Sequence, residues 1–407
     1  MTTNSSEHMT SNRFSSRGGA REFDIVLYGA TGFTGRLVAE CFLNLTRAGE
    51  PLRWAMAGRN MRKLEEVHSL IGASPSVPLI AADATSGSSL EAMALRSRVV
   101  VTTVGPYQFY GTELVQACVR TGTDYIDLCG ELGWMREIID THHEEARVSG
   151  ARIVFSGGFD SVPFDCGVQQ LQKHHVEQFG HPAQRVRGRV MAMKGEYSGG
   201  TVASLKASLE ATAVKPGLRA LLGDPFALTP GFRGIKQPDG ETPYFDETID
   251  AWVAPFVMAP INTKNIHRTN YLLGHPYGSD FQYDEMLVMG SGDVGKKAAQ
   301  RLGGGKAYEL GSQAKPGEGP NLASRRGGFY DILFAGRTAT GEVLRLVVTG
   351  DQDPGYGSTS KMLSQAALCL TEDDQSAGGI WTPAALMGDA LVDRLQTNAG
   401  VNFALFT

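Results

Sequence analysis

No stretch of the chain approaches the roughly 20 consecutive apolar residues that a bilayer-spanning helix needs, so no transmembrane segment is predicted. The apolar core of a secretory signal is also missing from the N-terminus, and a cytoplasmic protein is expected. Cysteine is scarce and scattered: Cys41, Cys118, Cys129, Cys166 and Cys369 form no CxxC pair and have no histidine at ligand spacing. Reduced, mostly buried thiols are expected, rather than disulfides or zinc. The histidines include the pairs His142-His143 and His174-His175 but no HExxH, and no metal is predicted. Excess positive charge is absent as well; a net charge of −5 gives no electrostatic reason to expect nucleic acid as a partner.

What is present is enough for more than one core. A length of 407 residues favours two domains, and 42% hydrophobic with 20% charged residues is near the globular average. Residues 1–21 are rich in Ser, Asn, Thr and Gly and read as a disordered tail. From Phe23 onward, short apolar runs alternate with helical stretches, the βαβ rhythm of a parallel sheet covered on both faces. Strands are predicted at 24–28, 53–57, 77–81, 99–103, 125–128 and 152–155. After Pro163 the rhythm is lost, and 187–193, 331–335 and 343–349 read as strands joined by long Gly- and Pro-rich connections. The expected organisation is a dinucleotide-binding domain over 22–175, an α+β substrate domain over 176–355, and a helical segment over 356–407 that packs back on the first domain. In the substrate domain 303–328 reads as an exposed loop, and in the last segment 360–370 reads as an amphipathic helix.

The first strand runs into Gly29-Ala30-Thr31-Gly32-Phe33-Thr34-Gly35, with glycines at three-residue spacing. Gly29 permits a tight turn, Gly32 admits a pyrophosphate to the helix N-terminus, and Gly35 allows close helix–strand packing. This strand–turn–helix marks an α/β fold whose N-terminal part is a Rossmann doubly wound parallel sheet. The second strand ends at Ala57-Gly58-Arg59-Asn60, where an NAD enzyme would place an acid. Arg59, supported by Lys63, can pair with the 2′-phosphate of NADPH, unless both merely decorate a solvated helix start. Asp83 suits the adenine amino group or a simple turn. Val104, Gly105 and Pro106 leave the fourth strand on the carboxyl edge, where they should line the nicotinamide together with Gly130, Phe159 and Asp160.

The segments GATGFTG, AGR at 57–59, VGPYQFYG at 104–111 and YIDLCGE at 125–131 resemble the saccharopine dehydrogenase-like oxidoreductase family. SGGFDSVPFD at 156–165, SGGTVAS at 198–204, WVAPFVMAPIN at 252–262 and DPGYGSTSKM at 353–362 fit its trans-acting enoyl reductase branch. The resemblance implies NADPH as cofactor and reduction of an activated C=C bond in a polyketide- or lipid-like small molecule, apolar or carrier-bound. An imine or ketone reductase and a non-catalytic NADPH-binding protein stay open, as does a homodimer.

Hydride transfer needs a proton donor nearby. None of the 12 tyrosines has a lysine four residues later, so a YxxxK mechanism is disfavoured. Tyr107 is the first candidate donor, with a packed lid as its alternative. Lys194, Tyr197 and the turn at 198–201 could face the cofactor across the cleft. Asp160 is either a helix cap or a site residue; Glu131 and Asp127 end the fifth strand near the same edge, and Glu131 either holds a proton or makes a structural hydrogen bond to the loop. Trp252, Phe256, Met258 and Phe281 suit an apolar substrate.

Overall fold

The strand Phe23–Tyr28 (β1, FDIVLY) is buried at every position, and a strand with no solvent face can persist only in a sheet covered on both sides. The computed structural model describes residues 21–49, 51–196, 204, 206–207, 210, 212, 216–303, 317–373 and 375–406. In it β1 lies at the centre of a seven-stranded parallel sheet with β2 (Trp54–Gly58), β3 (Leu79–Ala81), β4 (Ser97–Thr102), β5 (Asp124–Ile126), β6 (Arg152–Val154) and a late strand, β13 (Gly379–Trp381). The order β13-β6-β5-β4-β1-β2-β3 reverses direction between β1 and β4, which opens a crevice at their carboxyl ends.

A second seven-stranded sheet runs β14-β12-β11-β7-β10-β9-β8. Its strands are β7 (Arg185–Lys194), β8 (Tyr244–Asp246), β9 (Ala251–Pro255), β10 (Gln282–Gly290), β11 (Phe329–Arg337), β12 (Val343–Gly350) and β14 (Val401–Leu405). The helix Val162–Phe179 (α7) passes from the first sheet to the second and packs on β11 and β12, and the helix Ala259–Leu272 lies against α7 and β10. Phe256 and Phe281 are buried in this core, and only Trp252 and Met258 are partly accessible.

The C-terminal segment departs from the helical expectation, because it supplies a strand to each sheet. Its helix Thr359–Glu372 covers one face of the first sheet beside the helix Phe33–Arg47 (α1), burying Met362, Leu363, Ala366 and Leu370. Of the expected tail, residues 1–20 lie outside the described residues, whereas Arg21 is anchored to the carbonyls of Leu95 (2.6 Å) and Thr121 (2.7 Å). Within the expected loop at 303–328, Leu322–Arg326 is a short helix, and 304–316 lie outside the described residues.

Buried polar ties join these layers. Arg152 on β6 pairs with Asp124 on β5 and donates to the carbonyls of Leu370 and Asp373, each at 2.7 Å, which fixes the end of the 359–372 helix to the sheet. Asp165 on α7 accepts from Thr269 Oγ1 (2.6 Å) and Ala384 N (3.0 Å). Glu285 on β10 accepts from Asn262 Nδ2 (2.8 Å) and Tyr283 Oη (2.9 Å), and burial pushes its pKa up to about 8.

Arg152→Ala leaves the Asp124 carboxylate buried without its cation, and should lower the unfolding free energy by about 3–5 kcal/mol in denaturant titrations. The interior favours the neutral form of Glu285. Its contribution to stability is therefore complete below the ordinary value of 4.5 and is lost as pH rises through about 8. Glu285→Gln should flatten the decline in stability across that window relative to the unsubstituted protein; parallel stability–pH curves would refute the assignment.

Candidate active site

The chain leaves β1 at Gly29 with φ of 91°, a conformation open to glycine. A Cβ there would lie 2.7 Å from Val104 Cγ2, and one at Gly35 would lie 2.1 Å from the Gly29 carbonyl oxygen and 2.8 Å from Thr103 Oγ1. Thr103 Oγ1 donates to that same carbonyl at 3.2 Å, and Gly32 N reaches it at 3.0 Å. The helix α1 then starts with no side-chain cap and no acid in its first turn, so the amides of Phe33, Thr34 and Gly35 have no acceptor within the helix. Thr31 and Thr34 stand half-buried beside them. Such an N-terminus suits a pyrophosphate.

A cover for this loop was missed in the sequence. The Phe33 ring meets Tyr356 edge-on at 5.2 Å and the Arg325 guanidinium at 5.7 Å, and Gly319 lies so close that a Cβ would fall 2.5 Å from the ring. Asp353 accepts from the amides of Tyr356 (2.9 Å) and Gly357 (2.8 Å), which shapes the turn that presents Tyr356. The Asp-Pro-Gly-Tyr motif signalled a turn, but its target lies more than 300 residues earlier in the chain.

Arg59 and Lys63 are exposed at the end of β2 and the start of the helix Met61–Leu70 (α2). Asn60 is committed to that helix as its cap, accepting from Lys63 N at 3.1 Å. Asp83, beyond β3, accepts from Thr85 N and Thr85 Oγ1, each at 2.9 Å. Those bonds, with a smaller contribution from the Arg59 charge, hold its carboxyl below the usual range.

Along the carboxyl edge, Val104, Gly105 and Pro106 leave β4, and Ser204 Oγ lies 3.4 Å from where a Gly105 Cβ would stand. Glu131 accepts from the amides of Tyr107 (2.8 Å) and Gln108 (2.9 Å), so it caps the short helix Tyr107–Tyr110. Tyr107 itself is buried. Its hydroxyl accepts from Leu128 N at 3.1 Å and reaches the Thr102 carbonyl at 3.5 Å, while its ring stacks on Trp134. Burial, then the Asp127 charge, push its phenol well above the usual value. Every polar group of Tyr107 is engaged inside the wall, so of its two readings the packed one fits and the open donor does not.

Asp127 is equally committed: it accepts from Tyr125 Oη (2.8 Å), Cys129 N (2.9 Å) and Ser156 N (3.0 Å), and burial pushes it up to about 7. Gly130 is exposed over Ile261, and Phe159 is buried against Tyr330 with its amide bonded to Thr359 Oγ1 at 3.0 Å. Asp160 differs from all of these. It is half-buried, its carboxyl has no hydrogen-bond or ion-pair partner among the described residues, and burial pushes it up to about 6. The capping expected of the Asp160–Ser161 region is not seen. Ser161 stands at the cap position of α7, but its hydroxyl is drawn away by Asn265 Nδ2 (2.6 Å) and Asn262 Oδ1 (3.3 Å).

Lys194 is exposed at the end of β7, with its Nζ 4.0 Å from where a Gly327 Cβ would stand, on a different wall from Tyr107. Tyr197 and the turn at 198–201 lie outside the described residues. Among the described residues, no group of three His, Cys, Asp or Glu is placed to hold a metal. A cleft of about 610 Å³ lined by Arg136, Arg219, Asp224 and Arg233 shares none of the residues above.

Residues 25–154 match the saccharopine dehydrogenase NADP-binding domain. A Mycobacterium tuberculosis (strain ATCC 25618 / H37Rv) protein provisionally named a trans-acting enoyl reductase is 41% identical over 94% of this chain and 97% of its own length. Trans-acting enoyl reductases of the same strain and of Mycobacterium leprae (strain TN) are each 38% identical over those same shares. Among solved structures, apo saccharopine dehydrogenase (L-Glu forming) from Saccharomyces cerevisiae superposes with a TM-score of 0.53, over 95% of this chain and 100% of that one, at 12% identity, a likeness of fold. Matched along nearly its whole length at this identity, the chain belongs to the family of the trans-acting enoyl reductases, built on a saccharopine dehydrogenase NADP-binding domain.

Proposed function

We propose that the protein is an NADPH-dependent reductase of an activated C=C bond in a polyketide- or lipid-like enoyl thioester, free or carrier-bound. One observation carries the cofactor half of this reading. An uncapped helix N-terminus is framed by two glycines that tolerate no Cβ, and an exposed Arg59 stands at the end of the next strand where an acid would repel a 2′-phosphate. The substrate half follows from the names of the relatives.

In this reading the amides of Phe33, Thr34 and Gly35, with Thr31 and Gly32, hold the pyrophosphate. Arg59 and Lys63 hold the 2′-phosphate as charge-assisted donors, and Asp83 lies on the adenine side. Val104, Gly105, Pro106, Gly130 and Phe159 form the walls around the nicotinamide. When bound, NADPH supplies the hydride that the β-carbon of the substrate receives. The Phe33–Tyr356 contact covers the phosphate end and limits the entry of water. Tyr107 positions its neighbours, since its hydroxyl holds the Leu128 amide and its own amide holds Glu131. Lys194, exposed at the strand end, is available to a negatively charged part of a long substrate.

Purified protein should oxidise NADPH with at least one member of a 2-enoyl thioester panel and release the saturated thioester; no cofactor oxidation with any of them would count against the reading. Arg59→Ala should weaken NADPH binding by about 10- to 100-fold in fluorescence titrations and leave NADH binding nearly unchanged.

A further inference from the structure

Four protonatable side chains stand at the carboxyl edge beside the nicotinamide walls: Tyr107, Asp127, Glu131 and Asp160. Three of them are committed to the protein itself. The Tyr107 hydroxyl serves Leu128 N, Asp127 serves three donors, and Glu131 serves two amides. A buried polar group held in this way is poorly placed to exchange a proton with a substrate, because the transfer would leave its partners unsatisfied. Asp160 alone among the four carries no such bond among the described residues, and the residue is only partly buried.

Its surroundings among the described residues supply it no structural partner. The loop after β5 brings Cys129 near enough to feel the charges of Asp160, Asp127 and Glu131, and supplies no cation. The 259–272 helix presents Asn262 and Asn265 to Ser161, the next residue. The cations of that helix point elsewhere: Lys264 Nζ donates to the Pro260 carbonyl, and Arg268 donates to Leu228 and Ile380. The 353–359 turn contributes Thr359, whose hydroxyl contacts the Phe159 amide and the Pro354 carbonyl. Among the described residues no cation is paired with Asp160, although leaving a half-buried carboxyl unpaired opposes folding.

We propose that Asp160 is the general acid of the reaction, delivering the proton to the α-carbon of the enoyl thioester. This rests on the reductase reading above. As the β-carbon gains hydride, the C=C electron pair moves to the α-carbon and its thioester carbonyl. The O–H bond of the Asp160 carboxyl then breaks, a C–H bond forms at the α-carbon, and the carboxylate left behind recovers a proton from solvent. Nothing is oxidised or reduced in this second half, and the hydride supplies both electrons of the first. Burial that keeps the carboxyl near 6 holds more of it protonated at neutral pH than a free aspartate would be.

The test compares the full-length protein with Asp160→Asn in deuterated water, using NADPH and an enoyl thioester that the unsubstituted protein reduces. The unsubstituted protein should place α-deuterium on one face of the product. Asp160→Asn should turn over about 100-fold more slowly, with residual product deuterated on both faces, and should bind NADPH within about twofold of the unsubstituted protein by fluorescence titration. Unchanged rate and facial selectivity in the variant would overturn the proposal. A loss of NADPH affinity of about tenfold or more would also overturn it, by showing Asp160 to be a cofactor ligand. If the unsubstituted protein reduces no enoyl thioester, it is the reductase reading that fails, and the role of Asp160 falls with it.

Discussion

The site depends on one crowded point, where the start of α1 lies on the turn that follows β1. The space that a Gly35 side chain would need is already taken by the Gly29 carbonyl and Thr103 Oγ1, and the space at Gly29 is taken by Val104. Thr103 and Val104 belong to the exit of β4, so a single contact sets both the helix end that receives phosphate and the strand end that borders the nicotinamide. Parallel pairing of Tyr28 with both Thr102 and Ala57 brings the exits of β4 and β2 level with it. Any methyl group at this point would push the helix outward and disturb both ends of the crevice together.

The second half of the chain works by returning to the first. Strand β13 extends the first sheet beyond β6, and β14 extends the second beyond β12. The helix between Thr359 and Glu372 then closes a face of the first sheet with residues far from it in sequence. Arg152 and Asp165 reinforce this return, since each ties an element of the first half to the last 40 or so residues through buried bonds. The same return brings Tyr356 onto Phe33, so the lid over the phosphate loop is a consequence of how the chain ends.

Much of this was legible in the sequence. The six N-terminal strands announce themselves through apolar runs at βαβ spacing, and the glycine loop through its position between strand and helix. The two C-terminal strands did not, because three residues such as Gly379–Trp381 have no readable periodicity and become a strand only by pairing with β6, more than 220 positions earlier. Side-chain roles were harder still. Tyr107 stands as a donor candidate because it leaves the fourth strand beside the nicotinamide position, with a packed lid as the alternative after Gly-Pro, and only the fold brings the Leu128 amide to its hydroxyl. Capping near Asp160 was a sound local inference, overridden when two asparagines on a distant helix captured the Ser161 hydroxyl.

Cofactor choice turns on a similar question of which groups remain free. Arg59 has an acidic neighbour in Asp83, and a closed ion pair between them would leave little attraction for a 2′-phosphate. No such pair is seen among the described residues: Asp83 Oδ1 accepts from the amide and hydroxyl of Thr85, which hold the carboxylate in its own turn. The guanidinium is near enough to feel that charge and has no bonded partner among the described residues. A phosphate dianion offers more charge and more acceptor oxygens than Asp83 has left, so the balance at this edge favours the phosphorylated dinucleotide.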